Sequence, residues 1–324
     1  MVRYFFCTLL SKMNLIKLLR NYLRLLRPRQ WTKNLAVFAA ITFGGNLFNF
    51  PISQKVFLGF FIFCGLSSAI YIINDIFDIK KDRLHPFKKF RPLAQGNISI
   101  IAAGILALLL GLFSLIFSFL IDPAFFIITL GYLLLQLSYT AFLKQLMIID
   151  ILALAAGYIL RVYAGEIVSG SHISAWLLLT TISLSLFLVV GKRKSELTLL
   201  RSFTISQVSA TRKTLSHYSE SLLDVYASIF ATSTFISYAL FTFLENPKGP
   251  ALSSEFLPIP IAIFLQKKWL MLTIIPVVYG LMRYLQDIYE KHEGESPERV
   301  IFSDKQLLAA LIIWTILVIG IIYL

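Results

Sequence analysis

The chain has 324 residues, of which 57% are apolar and only 15% are charged, and its mean hydropathy is +0.77. These values exclude an ordinary soluble globular protein and indicate that lipid surrounds most of the chain. The formal net charge of +13 does not require a nucleic-acid partner, because a membrane protein collects Lys and Arg on one side of the bilayer.

The first predicted element is an amphipathic helix that precedes the apolar stretches. Between Asn14 and Leu26, leucine and tyrosine residues recur at helical spacing, with Lys17, Arg20 and Arg24 between them. A helix with one apolar and one basic face lies in the plane of a membrane surface. Residues 1–34 are therefore predicted to form a retained, cytoplasmic amphipathic N-terminal segment. A simpler interpretation, a basic anchor for anionic lipid, stays open.

Residues 35–324 are predicted to form one membrane domain of about nine transmembrane helices. A helix needs about 20 apolar residues to cross the hydrocarbon core, and stretches of about this length recur along the sequence, separated by short polar loops. The predicted spans are 35–50, 55–79, 99–120, 124–143, 147–167, 174–191, 223–244, 268–285 and 306–324.

The positive charges fall almost entirely on one side of this predicted bundle. When the loops between spans are assigned to alternate sides, 25 of the 30 Lys and Arg residues lie on one side and 4 on the other. The side rich in Lys and Arg is normally cytoplasmic. The sequence thus predicts a multi-pass protein of the cell membrane, with the amino terminus and the active site on the cytoplasmic side and the carboxyl terminus outside.

An acidic motif, NDIFDIKKD, follows the second predicted span. If the helix continues through it, Asn74, Asp75, Asp78 and Asp82 lie within about 100° of one another around the helix axis. Oxygen ligands of this kind suit Mg²⁺, which usually takes one or two carboxylates from protein. The simpler interpretation is that the acids pair with neighbouring cations in a solvated loop. It is disfavoured because Asn74 and Asp75 lie within an apolar helix, where polar groups usually mark function.

Basic clusters are predicted to converge on the same membrane side. They precede the first span at 27–34, follow the fourth span at Lys144, and follow the sixth span at 191–196. Arg161 differs because it lies within the fifth span. A buried arginine at membrane depth needs an anion, so Arg161 is predicted to pair with Glu166 or Asp150, or to reach a substrate phosphate.

These residues carry a resemblance to a known family. The acidic motif matches the NDxxDxxxD pattern of the UbiA superfamily of intramembrane prenyltransferases, and Tyr139, Lys144 and Asp150 are similar to its second patch. More narrowly, the segments that resemble the decaprenyl-phosphate phosphoribosyltransferase branch are RPRQWTKN at 27–34, NDIFDIKKDRLHPFKKFRP at 74–92 and GKRKSE at 191–196. The resemblance runs from about residue 25 to the end of the chain.

The resemblance implies a UbiA-like helical bundle around a central cavity, and an enzyme that transfers 5-phosphoribose from phosphoribosyl diphosphate to a polyprenyl phosphate. Pyrophosphate is released, and the product is a lipid-linked sugar precursor for the cell envelope. The implied cofactor is Mg²⁺, with Mn²⁺ as a substitute, held by Asn74, Asp78 and Asp82. The implied catalytic residues are Asp75, Asp78 and Asp82. The implied phosphate ligands are Lys33, Lys88, Arg91, Tyr139, Lys144, Arg161, Lys192 and Arg193.

Two alternatives remain beside this interpretation. One is prenyl transfer from a prenyl diphosphate to an aromatic acceptor, but the superfamily members that do this carry a second acidic motif where this chain has GKRKSE at 191–196. The other is membrane transport, which predicts charges near the bilayer midplane, whereas the acids here cluster at one interface. The sequence predicts lipid contacts and no nucleic-acid partner, and it leaves a homo-oligomer open.

Overall fold

The computed structural model describes residues 17–84, 88–201, 218–245, 269–289 and 303–323, together with Val300. All regular secondary structure within these ranges is helical. The helices pack side by side as a bundle that is built around buried apolar clusters. The predicted all-α membrane fold is therefore confirmed.

The elements follow one another as antiparallel neighbours joined mostly by short loops. In chain order they are α1 (17–26), a 3-10 segment (Pro28–Phe38), α2 (Ala39–Phe43), α3 (Phe50–Leu84), a 3-10 turn (Lys88–Phe90), α4 (Ile100–Ile121), α5 (Pro123–Ala141), a 3-10 turn (Leu143–Gln145), α6 (Ile149–Ser169), α7 (Ala175–Arg201), α8 (Glu220–Leu244), a 3-10 turn (Trp269–Thr273) that leads into α9 (Ile274–Tyr289), and α10 (Lys305–Tyr323).

Eight segments in the described part of the chain are long and apolar enough to cross a membrane. They coincide with the second to ninth predicted spans. Helices α3 and α7 extend beyond the predicted ends, because each continues as a helix past its apolar stretch into charged residues. This extension places the acidic motif of α3 and the basic residues 192–194 of α7 on helices rather than in loops.

The first crossing begins and ends earlier in the chain than the predicted span, 35–50. The crossing is made by the 3-10 segment and α2, which together extend about 30 Å at the rises of the two helix types. At one end Arg27 binds Asp75 of α3, and at the other end Asn46 binds Ser171, just after α6. Pro28 fits the start of this segment, and Gly44 and Gly45 end it. The described segments therefore cross the bundle nine times.

Close packing against α6 holds this first crossing in place. A Cβ atom added to Gly165 would lie 1.9 Å from the carbonyl oxygen of Val37, so the two backbones touch where glycine has no side chain. Val37 and Ile41 are fully buried beside Phe63 of α3. The crossing is thus part of the bundle core and not a peripheral loop.

The two ends of the bundle differ in chemistry. We call the end at which α3 finishes with Asp75, Asp78 and Asp82 the aspartate end. The loop 142–148 and the carboxyl-terminal part of α7 lie at the same end, since both contact those elements or their partners. Between the ends, the outer surface is apolar; Leu108 in the middle of α4, for example, is 61% exposed. Such a belt is suited to lipid.

The predicted N-terminal segment is described only from residue 17. Leu25 of α1 is buried against Ala69 and Ile72 of α3, while Leu18 and Leu19 are exposed. The helix therefore has one face on the bundle and one apolar face turned outward. Residues 1–16 lie outside the described part of the chain, and the division at residue 34 stays a prediction.

Candidate active site

The acidic side chains of α3 share one side of its last three turns, as the helical spacing predicts. The helix continues without a break to Leu84. Asp75 is 2% exposed and Asp82 is 4% exposed, whereas the side chain of Asp78 is 19% exposed. Asn74 is half-buried one position before Asp75. Asp78 is therefore the most accessible carboxylate of the motif.

Cations from outside α3 bind these carboxylates. Arg91 bridges two of them, with its Nη1 3.0 Å from Asp75 Oδ1 and 2.6 Å from Asp82 Oδ2. Arg27 approaches the same oxygen of Asp75 at 2.5 Å. In the described part of the chain, Asp75 and Asp82 thus pair with these arginines and not with the cations next to them in sequence; the neighbouring Arg83 donates its Nε–H to the carbonyl oxygen of Ala94 instead.

Arg27 is a site residue that the sequence prediction missed. Its backbone has a positive φ of 53°, and its guanidinium lies 5.1 Å from the ring centre of Tyr71. The available signal was its place in the basic motif at 27–34, from which only Lys33 was selected. Lys33 itself donates to Gln30 Oε1 at 2.7 Å, one or two turns further into the bundle.

Lys144 approaches α3 from the loop between α5 and α6. Its Nζ lies 2.9 Å and 3.1 Å from the two carboxylate oxygens of Asp78, and its side chain is 9% exposed. The structure therefore brings together the two motifs that the sequence placed on one membrane side. Lys88 is half-buried in the loop between α3 and α4, three residues before Arg91.

Arg193 of α7 is buried completely at the same end. Its Nη1 donates to Glu196 Oε2 at 2.6 Å, and its Nη2 donates to Tyr139 Oη at 3.0 Å. Its Nε lies 2.8 Å from Asp150 Oδ2, an ion pair without the alignment of a hydrogen bond. Three protein groups therefore surround a side chain that was predicted to bind phosphate.

Tyr218, just before α8, completes this cluster from the other side. Its hydroxyl donates to Asp150 Oδ1 at 2.8 Å and accepts the backbone N–H of Ile148 at 2.7 Å. Burial raises the pKa of Tyr218 to about 12, and the hydrogen bond to Asp150 acts in the same direction. The phenol is thus a neutral donor at physiological pH.

The cations beside Arg193 have different surroundings. The side chain of Lys192 is 28% exposed, and its Nζ is 4.0 Å from Glu196 Oε1. Lys194 forms an ion pair with Asp224 of α8, and its Nζ lies 3.0 Å from the ring centre of Tyr289 of α9. Among the three consecutive cations, Lys192 is the most accessible to a substrate.

Arg161 lies apart from this group. It follows Asp150 by eleven residues on α6, which corresponds to about 16 Å along the helix axis. Of its predicted carboxylate partners, Asp150 pairs with Arg193 and Glu166 with His172. Its three hydrogen bonds go to Asn34 Oδ1, the carbonyl oxygen of Gly157 and the Tyr132 hydroxyl. Among the described residues, no carboxylate forms an ion pair with this arginine.

The aspartate end can supply ligands for a hard cation. Within the described ranges, no three His, Cys, Asp or Glu side chains are grouped closely enough to hold a metal by themselves. Mg²⁺ needs only one or two carboxylates when substrate phosphates and water complete its shell. The oxygen donors of Asn74 and Asp78, in a partly exposed position, fit that requirement.

Sequence comparisons with known proteins indicate one family. The model of the UbiA prenyltransferase family matches residues 35–303. The chain is 32% identical over 301 residues to decaprenyl-phosphate phosphoribosyltransferase of Mycolicibacterium smegmatis, which covers 92% of this chain and 91% of that protein. It is also 32% identical over 314 residues to the enzyme of the same name from Corynebacterium glutamicum. That alignment covers 93% of this chain and 86% of the other protein.

A solved structure shares the fold. A UbiA homologue from Archaeoglobus fulgidus, bound to GPP and Mg²⁺, superposes with a TM-score of 0.66 at 21% sequence identity. The superposition covers 93% of this chain and 99% of that one. The nine crossings described above therefore have a counterpart of known structure along almost their whole length.

Proposed function

The chain belongs to the UbiA prenyltransferase family, and from this premise we propose that it transfers 5-phosphoribose from phosphoribosyl diphosphate to a polyprenyl phosphate, with release of pyrophosphate. It is an integral membrane enzyme of that family. The observation that carries the proposed reaction is the match to phosphoribosyltransferases over more than nine-tenths of the chain. The product would be a lipid-linked sugar precursor for the cell envelope.

The charge distribution of the aspartate end supports this choice of substrates. One short acidic motif binds cations from three different parts of the chain, Arg27, Arg91 and Lys144, and the partly exposed Lys192 lies at the same end of the bundle. Two substrates with several separate phosphates need many cationic ligands, and bidentate arginine suits phosphate oxygens. The acceptors of aromatic prenyl transfer need fewer.

We assign the phosphate ligands by position and exposure. Lys88, Arg91, Lys144 and Lys192 lie at the aspartate end, and Lys33 lies a short way below it. Tyr139 would orient a phosphate with its hydroxyl. Among the described residues, Arg161 makes three hydrogen bonds, and a guanidinium carries five N–H groups in all. It would meet an anionic group of the lipid substrate deeper in the bundle.

The family homologue with Mg²⁺ and the donor set at the aspartate end support a divalent cation in this enzyme. Asn74 and Asp78, with Asp82, would hold Mg²⁺, and Mn²⁺ would substitute. When bound, the cation neutralises negative charge on the leaving pyrophosphate. Asp75 keeps Arg27 and Arg91 beside this position.

The proposed reaction requires little proton transfer by the protein. An oxygen of the polyprenyl phosphate attacks C1 of the ribose, the new C1–O bond forms, and the C1–O bond to pyrophosphate breaks with its electron pair on the leaving group. The attacking oxygen is already anionic at neutral pH, so no strong general base is needed. The side chains bind and align the two substrates and exclude water.

The distribution of Lys and Arg supports an orientation for the enzyme. The aspartate end and the amino terminus would face the cytoplasm, and the carboxyl-terminal end of α10 would lie outside, in the cell membrane. Lipid substrate would enter from the bilayer at the side of the bundle, while phosphoribosyl diphosphate would arrive from the cytoplasm.

The test is a substrate panel with purified protein. Labelled phosphoribosyl diphosphate is incubated with polyprenyl phosphates of several lengths, and in parallel prenyl diphosphates are incubated with aromatic acids. We expect label in the lipid fraction only in the first set. Product in the second set alone would replace the proposal with aromatic prenyl transfer.

A further inference from the structure

We propose that Arg193 is a positioning residue and not a phosphate ligand. Together with Asp150 and Tyr218, it fixes Tyr139 and the loop 142–148 that presents Lys144 to Asp78. The inference rests on the proposed function only for the identity of the substrates. The structural part concerns how one loop of the active site is held.

The first observation is the enclosure of the guanidinium. Arg193 is 0% exposed, and each of its three nitrogens faces a protein group: Asp150, Glu196 or Tyr139. A phosphate ligand needs N–H groups that a substrate can reach. Lys192, one position earlier and turned by about 100° around the helix, is the partly exposed cation of the pair. Adjacent cations thus have separate roles.

The second observation is a continuous connection from Arg193 to the loop. Asp150 forms an ion pair with Arg193 through Oδ2 and accepts a hydrogen bond from the Tyr218 hydroxyl on Oδ1. The same hydroxyl accepts the N–H of Ile148. Ile148 has a positive φ of 67°, a conformation that is unfavourable for a β-branched residue and persists only when its surroundings impose it. The phenol of Tyr218 is one such constraint.

The third observation is where this constrained loop leads. Four residues before Ile148, Lys144 reaches both oxygens of Asp78. At the other end of the loop, Tyr139 in the last turn of α5 is held by Arg193 itself. Both ends of the loop are therefore hydrogen-bonded to groups of the buried Arg193–Asp150 cluster, and this cluster fixes the positions of Lys144 and Tyr139.

The role predicts that different variants of the cluster share one defect. Tyr218→Phe removes only a hydroxyl, and Arg193→Gln removes the ion pair. In ligand-free protein, we expect each to increase amide hydrogen exchange in segment 142–150 by at least about tenfold. We expect each to lower kcat by a similar factor and to change the KM for phosphoribosyl diphosphate to the same extent, because both variants displace Lys144 and Tyr139 alike. The double variant should be no worse than the more severe single variant.

Two controls separate the alternatives. Arg283→Gln removes a different arginine ion pair, the one that Arg283 of α9 forms with Asp304 at the start of α10. This variant should leave amide exchange in 142–150 unchanged. Lys192→Gln should raise KM without changing that exchange. All kinetics are measured well below the melting temperature of each variant, so that a purely structural role shows as a lower Tm with normal kcat.

Several outcomes would overturn the proposal. A Tyr218→Phe variant with wild-type exchange and kcat would show that the cluster does not hold the loop. A KM that is raised in Arg193→Gln but not in Tyr218→Phe would show that Arg193 binds a substrate phosphate. Because exchange is measured without substrate, a failure of the wild-type protein to use phosphoribosyl diphosphate would refute the proposed function and leave this result standing. If Arg193→Gln does not fold, Tyr218→Phe decides the question.

Discussion

The replacement of Asp78 by Asn tests the centre of the proposed site. Asp78 is the most accessible acid of the motif, and Lys144 binds both its oxygens, at 2.9 Å and 3.1 Å. The amide keeps the size of the side chain but removes its charge. Turnover should fall by at least about 100-fold, which corresponds to about 2.7 kcal/mol of transition-state stabilisation.

The effect on stability should be somewhat smaller than the effect on turnover, and it should leave the protein folded. Exposed ion pairs contribute about 0.2–1 kcal/mol, and breaking a fully buried pair costs about 3–5 kcal/mol. The side chains here are 19% and 9% exposed, which places the cost between these limits, at about 2 kcal/mol. The variant should remain folded in detergent, with a melting temperature lower by a few degrees.

The assay measures phosphoribosyl transfer and thermal unfolding on the same preparations. Asp122→Asn is the matched control, because Asp122 caps the start of α5 at the opposite end and accepts the N–H groups of Ala124 and Phe125. Asn caps a helix as well as Asp does, so this variant should keep wild-type turnover. Normal turnover in Asp78→Asn, or an equal loss in Asp122→Asn, would refute the reasoning.

Three further predictions follow from the same structure. Excess chelator should abolish turnover, and Mg²⁺ or Mn²⁺ should restore it; full turnover in chelator would exclude a divalent cation. Lys192→Gln should raise the KM of a phosphorylated substrate by about tenfold to a hundredfold, with little change in melting temperature, whereas an unchanged KM would make Lys192 a topology signal. Gly165→Ala should strongly destabilise the bundle, because its Cβ would lie 1.9 Å from the Val37 carbonyl oxygen. The control Gly131→Ala, with no atom within 4 Å of the added Cβ, should melt no lower than the wild type; equal melting temperatures for both alanine variants would contradict this packing.

The acidic motif and the spans could be predicted because they depend on local periodicity. An apolar stretch of about 20 residues has few alternatives to a membrane helix. The position of Asn74, Asp75, Asp78 and Asp82 on one side of α3 follows from 3.6 residues per turn alone. The first crossing begins earlier than predicted because its 3-10 segment includes polar residues that the local apolar pattern does not reveal; this segment packs against Gly165 of α6, more than a hundred residues away in sequence.

The partners of the charged groups could not be predicted in the same way. Nothing in the local sequence distinguishes Arg193, which points into the protein and binds Asp150, from Lys192, which is partly exposed. Arg161 was expected to need an anion, yet in the described structure it is bound by the neutral groups of Asn34, Gly157 and Tyr132.

The sequence by itself determined the helical membrane fold, the common face of the acids and the end of the bundle at which cations collect. Only the tertiary structure decided that Asp78 faces Lys144 and that Arg91 joins Asp75 to Asp82. The physical reason is one of range. The direction of a side chain around its own helix is fixed by the backbone within a few residues, whereas the group it meets is fixed by how distant helices pack, and that depends on the fit of the whole core.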